Sequence, residues 1–474
     1  MMYFLVLSIV QAEPSVVFIG NSYTQFNSLP NHVQAMSQEL TGWSAIETVS
    51  LTGGGLTLSD HASRMTDEGS TWQETFAEAH DWFVFQDQSQ IPGFPQSESY
   101  WQDSLAGLQE MHSQVNAVEG LSMLMLTWGR RDGDPQNPAL YQDFTAMQER
   151  LNEGYLAYAT QAGTVDNPIY IAPVGPVFAY VHEADSVLFS RLYGGDGSHP
   201  SQLGTTVASL AMMASLTGRS VREADHGLED VDAPLLIEAV ENVVLEMAVE
   251  DYPLPWVWTM IPEDGQVVHE TMRPLLRIQS DQSVDLDIVD GRVWLESGRL
   301  EGRVSVSPNS EFRIAGGVHT GSIEGSVSVD SGQLRLTEVT GNVVQTGGEV
   351  WLDQFETEIV GEATLTLLQL HPDLEEASLQ TGGMNVDNLE LGEGLSWAEG
   401  LNNSIYLVRV PNEADTAEPE PSTEPSTEPE NESDEDDEDD AISIEKETGC
   451  ANVGLLMLLP LWMVMRQRKT SVLQ

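Results

Sequence analysis

From residue 15 to about residue 220 the chain alternates between short apolar runs and longer stretches with helical spacing, a rhythm that few folds accommodate. The runs fall at 16–20, 45–51, 82–86, 122–127 and 168–172. The helix-like stretches fall at 29–40, 56–65 with 71–80, 97–118, 138–162 and, last, 202–216. Strands separated by helices of this length predict a parallel sheet covered on both faces. Residues 235–249 read as one further amphipathic helix packed on the same domain. In an open sheet of this kind reactive groups collect at the carboxyl ends of the strands. Ser22 leaves the first run across Gly20-Asn21 and is therefore a candidate nucleophile. The alternative is a cap for the helix near Leu29.

Near Pro253 the texture changes. Over 265–410 helical periodicity disappears and short alternating segments are broken by glycines. Gly298-Arg-Leu-Glu-Gly-Arg-Val-Ser-Val306 is echoed by Gly321-Ser-Ile-Glu-Gly-Ser-Val-Ser-Val329, and the same offset of 23 carries Gly325 to Gly348. One turn of a parallel β-helix uses a similar number of residues, and stacked turns bury apolar faces that a single turn cannot. A short β-solenoid is expected, with a β-sandwich as the competing arrangement. No set of catalytic residue types gathers in this part.

At 474 residues the chain is too long for one core. Its net charge of −56 argues against nucleic-acid binding, which needs Lys and Arg to neutralise phosphates. Residues 1–12 are apolar and end Val-Gln-Ala, which reads as a signal peptide with a misplaced start codon, or else as a first strand. Residues 411–448 open with a Pro-Ser-Thr-Glu repeat and become an acidic run, a composition expected to form a disordered linker. Beyond it lie Cys450, an apolar run over 453–465 and the basic cluster Arg466-Gln-Arg-Lys469. This tail resembles the C-terminal sorting signals of myxobacterial surface proteins, which implies Cys450 as an anchor; a plain C-terminal membrane helix is the other reading. Both hold the folded part outside the membrane. Cys450 is the sole cysteine, so an intrachain disulfide is excluded, and no His, Cys and carboxylate set has metal-ligand spacing. No cofactor is expected, because the Gly-rich stretch Gly53-Gly-Gly55 lacks both the lysine and the spacing of a phosphate loop.

Four segments bear on chemistry: Gly20-Asn-Ser-Tyr-Thr24, Gly54-Gly-Leu-Thr-Leu-Ser-Asp-His61, Gln86-Asp-Gln-Ser89 and Thr127-Trp-Gly-Arg130, followed by Asp196-Gly-Ser-His-Pro-Ser201. Together they resemble the SGNH (GDSL-like) hydrolases, specifically a bacterial branch, over about residues 14–220. The resemblance implies a three-layer flavodoxin-like domain over 13–225; residues 226–264 read, from their own pattern, as a helical connector to the β-rich part. It implies Ser22 as nucleophile, His199 as general base and Asp196 as the carboxylate that orients the imidazole. The chemistry agrees, since a serine hydroxyl needs a neighbouring base to take its proton. The implied oxyanion donors are the Ser22 and Gly55 N–H groups and a side-chain carboxamide. The usual Gly-x-Asn-Asp turn is replaced here by Gln86-Asp87-Gln88-Ser89, so Gln88 takes the Asn position, with Gln86 as the alternative donor or a purely turn-forming Gln88.

Trp128 and Arg130 follow the fourth run and are candidate substrate-binding residues; packing with a surface ion pair is the plainer reading. His61 reads as a supporting residue. These features predict an exported, surface-tethered serine esterase acting on an ester substrate, with O-acetyl groups on a glycan favoured. Its membrane partner is reached through the C-terminal segment. The rival is a catalytically weak or inactive protein of the same fold that acts in carbohydrate binding or adhesion.

Overall fold

The computed structural model describes residues 13–410, apart from 39–44, 223, 225, 226, 270, 386–388 and 400–402. The expected signal peptide, acidic linker, Cys450 and apolar tail lie outside the described residues. Among the described residues no helix is long and apolar enough to cross a membrane.

Strands β1 (Ser15–Gly20), β2 (Glu47–Thr52), β3 (Trp82–Phe85), β4 (Leu121–Met125) and β5 (Ile169–Ala172) form one parallel sheet in the order β2-β1-β3-β4-β5. Two-residue alternation explains why it is covered on both faces. Val16, Phe18, Val84, Met123 and Met125 enter one apolar cluster, and Val17, Ile19, Phe83, Phe85 and Leu124 enter the other. Helices α2 (Leu29–Ser37), α7 (Val174–Ala184) and α9 (Gln202–Thr217) feed the first cluster, following the short helix α1 (Ser22–Gln25). Helices α3 (Leu58–Thr66), α5 (Ser99–Ala117) and α6 (Phe144–Ala162) feed the second, with α4 (Thr71–Phe76) beside α3. Strand order reverses between β1 and β3. A crevice opens at such a switch point, outside the carboxyl ends of the strands.

The stretch over 174–191, which carries no element in the reading of the sequence, forms α7 and α8 (Ser186–Arg191). Gly175 and Pro176 disguise it locally, but Val174, Val177, Phe178 and Val181 repeat at helical spacing and are fully buried. Gly175 is required there, since a Cβ would come within 2.2 Å of the Thr127 carbonyl oxygen.

After α10 (Ala233–Val240) the chain runs through a π-helical segment, Glu241–Met247, into α11 (Ala248–Asp251). The Ile171 N–H of β5 donates to the Pro253 carbonyl at 2.9 Å, so this connector partly covers the sheet edge. A parallel β-solenoid of about 7 turns follows. Its first strand, Val257–Trp258, pairs with Leu275–Leu276 and therefore starts before the expected residue 265. Each early turn has three strands: Leu286–Ile288, Arg292–Leu295 and Arg299–Glu301 pair in parallel with Val304–Val306, Glu311–Ile314 and Val318–Glu324. The parallel pairing excludes a sandwich for these strands.

The echo of 23 residues is not the turn length. Arg299 stacks on Val318 and Val318 on Gln333, so these turns take 19 and 15 residues. The echoed glycines instead mark corners: Gly302 and Gly321 are stacked with φ of 144° and 147°, and a Cβ on Gly321 would meet the Gly302 oxygen at 2.0 Å. The coil ends in antiparallel pairs, Ser404–Arg409 lying between Glu376–Asn385 and Leu395–Glu399.

Arg292 joins the two parts. It is 3% exposed, lies 5.1 Å from the Trp256 ring centroid and donates through Nη1 to the Leu245 carbonyl. Trp294 and Leu275 of the coil enter the same apolar cluster as α9 and α10.

Candidate active site

Strand β1 ends at Gly20, a position where nothing larger fits: a Cβ would lie 2.4 Å from Thr24 Oγ1 and 2.7 Å from Gln86 Oε1. Asn21 then caps the one-turn helix that begins at Ser22, accepting the Tyr23 N–H at 3.1 Å. Its Nδ2 donates to the Leu56 and Asp87 carbonyls, both at 3.1 Å, and ties together the loops that follow β1, β2 and β3. Ser22 is thus no cap. It stands just past the carboxyl end of β1, beside the switch point between β1 and β3.

The second half of the site comes from the turn before α9. Gly197 has a φ of 66°, and Asp196 Oδ1 accepts the Ser198 and His199 N–H groups at 2.9 and 3.0 Å. The other carboxylate oxygen accepts His199 Nδ1–H at 2.6 Å. That bond leaves the Nε2 lone pair directed at Ser22, whose hydroxyl lies 2.9 Å away. Burial pushes the Asp196 carboxyl upward, but the bonds from the His199 ring and from the two N–H groups outweigh it and hold it at about 2. Residues 177 positions apart therefore meet as a nucleophile, base and carboxylate set.

Asn21, Ser22, Tyr23, Gly55, Gln88, Ser89, Arg130, Ser198 and His199 enclose a cavity of about 170 Å³. Gly55 borders this cavity and is exposed, with a φ of 71°, a conformation that suits glycine. Gln88 Nε2 donates to Gln90 Oε1 at 2.9 Å, and its Oε1 accepts the Gln90 N–H at 2.8 Å. One Nε2–H of Gln88 remains for another partner. Gln86, the alternative donor, faces away: its Oε1 accepts the Asn21 N–H and the Thr24 hydroxyl, both at 2.9 Å.

Asp87 is fully buried beneath this loop. Oδ1 accepts the Leu58 and Gln88 N–H groups and the Ser104 hydroxyl, and Oδ2 accepts the Tyr158 hydroxyl. Burial raises its carboxyl to about 6 against the pull of those bonds. His61 is buried as well, bonding the Gly20 carbonyl at 3.1 Å through Nε2–H and accepting Trp72 Nε1–H at 2.9 Å. Both residues support the loops and neither faces the cavity.

Trp128 requires a correction. Of its two readings, substrate binding and packing, the structure supports packing: Trp128 is 0% exposed, stacked between Tyr23 at 4.9 Å and Phe178 at 4.7 Å. Its Nε1–H donates to the Ser198 carbonyl, so it holds the Asp196–His199 turn from beneath. A Trp at a strand end has the same sequence signature whether it faces solvent or core. Arg130 does line the cavity, with Nη1 on Asp134 Oδ1 at 2.6 Å. With Ser198 it also borders an adjoining groove of about 370 Å³ walled by Asp132, Asp134, Tyr141, Gln142 and Asp196. Sequence reasoning missed Tyr23, Ser89 and Ser198 as cavity residues; the only available signal was their place beside the motif residues. Among the described residues no cluster of His, Cys, Asp and Glu could hold a metal ion.

No family model and no curated protein matches the chain. Among solved structures, a DUF4886 family protein from Bacteroides uniformis is similar at a TM-score of 0.42 and 18% identity, over 50% of this chain and 96% of its own. A protein from Slackia heliotrinireducens, proposed to be an SGNH hydrolase, is similar at 0.35 and 24% identity, over 43% of this chain and 98% of its own. A catalytic mutant of an acetylxylan esterase from Geobacillus stearothermophilus is similar at 0.30 and 15% identity, over 42% of this chain and 90% of its own.

Proposed function

We propose that this chain is a serine esterase of the SGNH type that works through an acyl-enzyme on Ser22. The observation that carries the reading is the continuous series of Ser22 Oγ, His199 and Asp196, linked at 2.9 and 2.6 Å at the rim of a cavity. In the first half-reaction Ser22 Oγ bonds to the acyl carbon while its proton passes to His199 Nε2. The carbonyl oxygen gathers negative charge, which the Ser22 and Gly55 N–H groups and the remaining Gln88 Nε2–H are disposed to receive. Collapse breaks the ester C–O bond, and His199 returns the proton to the leaving alcohol. Water, deprotonated by the same imidazole, then releases the acid and restores Ser22.

The cavity of about 170 Å³ suits a short acyl group, acetyl in particular, because sites for drug-sized ligands begin at roughly 300 Å³. The adjoining groove, walled by carboxylates, Gln142 and the Tyr141 hydroxyl, suits an alcohol rich in hydroxyl groups, such as a glycan. The acidic linker, Cys450 and apolar tail support a protein exported and tethered at the cell surface. Turnover of short-chain nitrophenyl esters tests the central point. Wild type is expected to cleave the acetate ester faster than the octanoate, and Ser22→Ala to abolish cleavage. A wild type that cleaves neither ester refutes the reading.

One observation favours the rival, a catalytically weak binding protein. The Gln88 carboxamide engages Gln90 through its oxygen and one N–H, which leaves it a single N–H for an oxyanion.

A further inference from the structure

The segment that leaves Ser22 contains a strained elbow. Among the described residues four other than glycine have positive φ, and two are adjacent here: Asn27 at 54° and Ser28 at 57°. A left-handed backbone is unfavourable for any residue with a Cβ, so two in succession persist only where neighbouring groups hold them. The Asn27 side chain supplies that hold. Its Nδ2 donates to the Pro200 carbonyl at 3.1 Å and to Thr205 Oγ1 at 2.9 Å, and its Oδ1 accepts Gln202 Nε2–H at 2.8 Å.

All three partners belong to the other half of the site. Pro200 directly follows His199, and Gln202 and Thr205 lie in the first turn of α9. The residue before the elbow, Phe26, stacks on the His199 ring at 5.0 Å between centroids although it is 48% exposed. Tyr23 meets the same imidazole edge-on at 5.6 Å. The elbow thus bridges the segment that bears the hydroxyl and the turn that bears the base.

We propose that Asn27 is a positioning residue: its amide locks the elbow to the His199 turn, seats Phe26 on the imidazole and fixes the spacing of Ser22 and His199. Its effect on turnover rests on the esterase reading, whereas its effect on His199 does not. Asn27→Gly separates this role from simple turn formation, because glycine accepts the left-handed backbone and removes only the amide. The expected result is a kcat for nitrophenyl acetate lower by about 10- to 100-fold, with KM within about twofold of wild type, the pattern of a misplaced catalytic pair.

Proton NMR provides a readout that needs no turnover. The stacking of Phe26 on His199 is expected to shield the His199 Cε1–H, so its signal moves downfield in Asn27→Gly and the same way in Phe26→Leu. Asn27→Asp, which keeps the oxygen and loses the two donated bonds, repeats the effect. A wild-type kcat in Asn27→Gly, or an unmoved His199 signal, overturns the inference. If the wild-type protein cleaves no ester, a moved signal upholds the inference while the esterase reading falls, and an unmoved one ends both.

Discussion

Replacing Asp196 by Asn exchanges one carboxylate oxygen for an NH2 group and removes the negative charge, with almost no change of shape. The Asn oxygen can still accept the Ser198 and His199 N–H groups, now at 2.9 and 3.0 Å, so the turn is retained. The group facing His199 Nδ1 becomes an amide N–H instead of the carboxylate that accepts at 2.6 Å. Nδ1 must then serve as the acceptor, and the ring proton moves to Nε2. There it points at Ser22 Oγ, 2.9 Å away, and the imidazole can no longer take the hydroxyl proton. The same exchange in other Ser-His-Asp sites lowers kcat about 10⁴-fold, or about 5.5 kcal/mol of barrier at 1.36 kcal/mol per factor of ten. The assay is kcat on nitrophenyl acetate from pH 5 to 9 beside thermal melting. The expected result is a loss of about 10³- to 10⁴-fold with melting within a few degrees of wild type. The Asp196 carboxyl sits at about 2, so its contribution is present throughout this range and is lost only as pH falls toward that value. Activity above a tenth of wild type in the variant refutes the argument, because it means another group orients the base.

Three further outcomes follow from the geometry. Gln88→Ala is expected to lower kcat by about 10²- to 10³-fold with little change in KM, the loss of one oxyanion donor; a fall under tenfold assigns the carboxamide to the turn alone. His61 is held neutral, its imidazole lowered to about 4 chiefly by burial, so the unfolded chain binds its proton first as pH falls. The stability it contributes is therefore complete above about 6.5 and lost toward 4, by about 3 kcal/mol, and denaturant titrations of wild type and His61→Gln should converge by that amount over this interval. Gly154→Ala places a Cβ 1.7 Å from the Pro92 carbonyl oxygen in the loop after β3, and denaturant titration is expected to show a loss of about 1–3 kcal/mol.

The sequence carried the sheet well and the site unevenly. Runs such as 16–20 and 82–86 mark β1 and β3 because a strand buried on both faces must be apolar throughout, a pattern that local reading detects. Helix α7 escaped because Gly175 and Pro176 break the local propensity, while Val174, Val177, Phe178 and Val181 decide the matter only once packed. Ser22, Asp196 and His199 could be matched because each sits in a motif whose turn chemistry is itself local. Trp128 could not be oriented, since burial between Tyr23 and Phe178 depends on elements far away in the chain. The role of Asn27 was equally hidden, because Asn before a helix is ordinary and its partners lie 173 to 178 residues downstream. In the coil, glycine spacing reported corners, and turn length had to be read from the strand register.

The most direct measurement is covalent labelling of the folded protein with a fluorophosphonate, followed by mass mapping of the modified peptide. The account predicts one phosphonyl group, on Ser22, with labelling suppressed in His199→Ala. Labelling at another serine, or equal labelling with and without the imidazole, contradicts it.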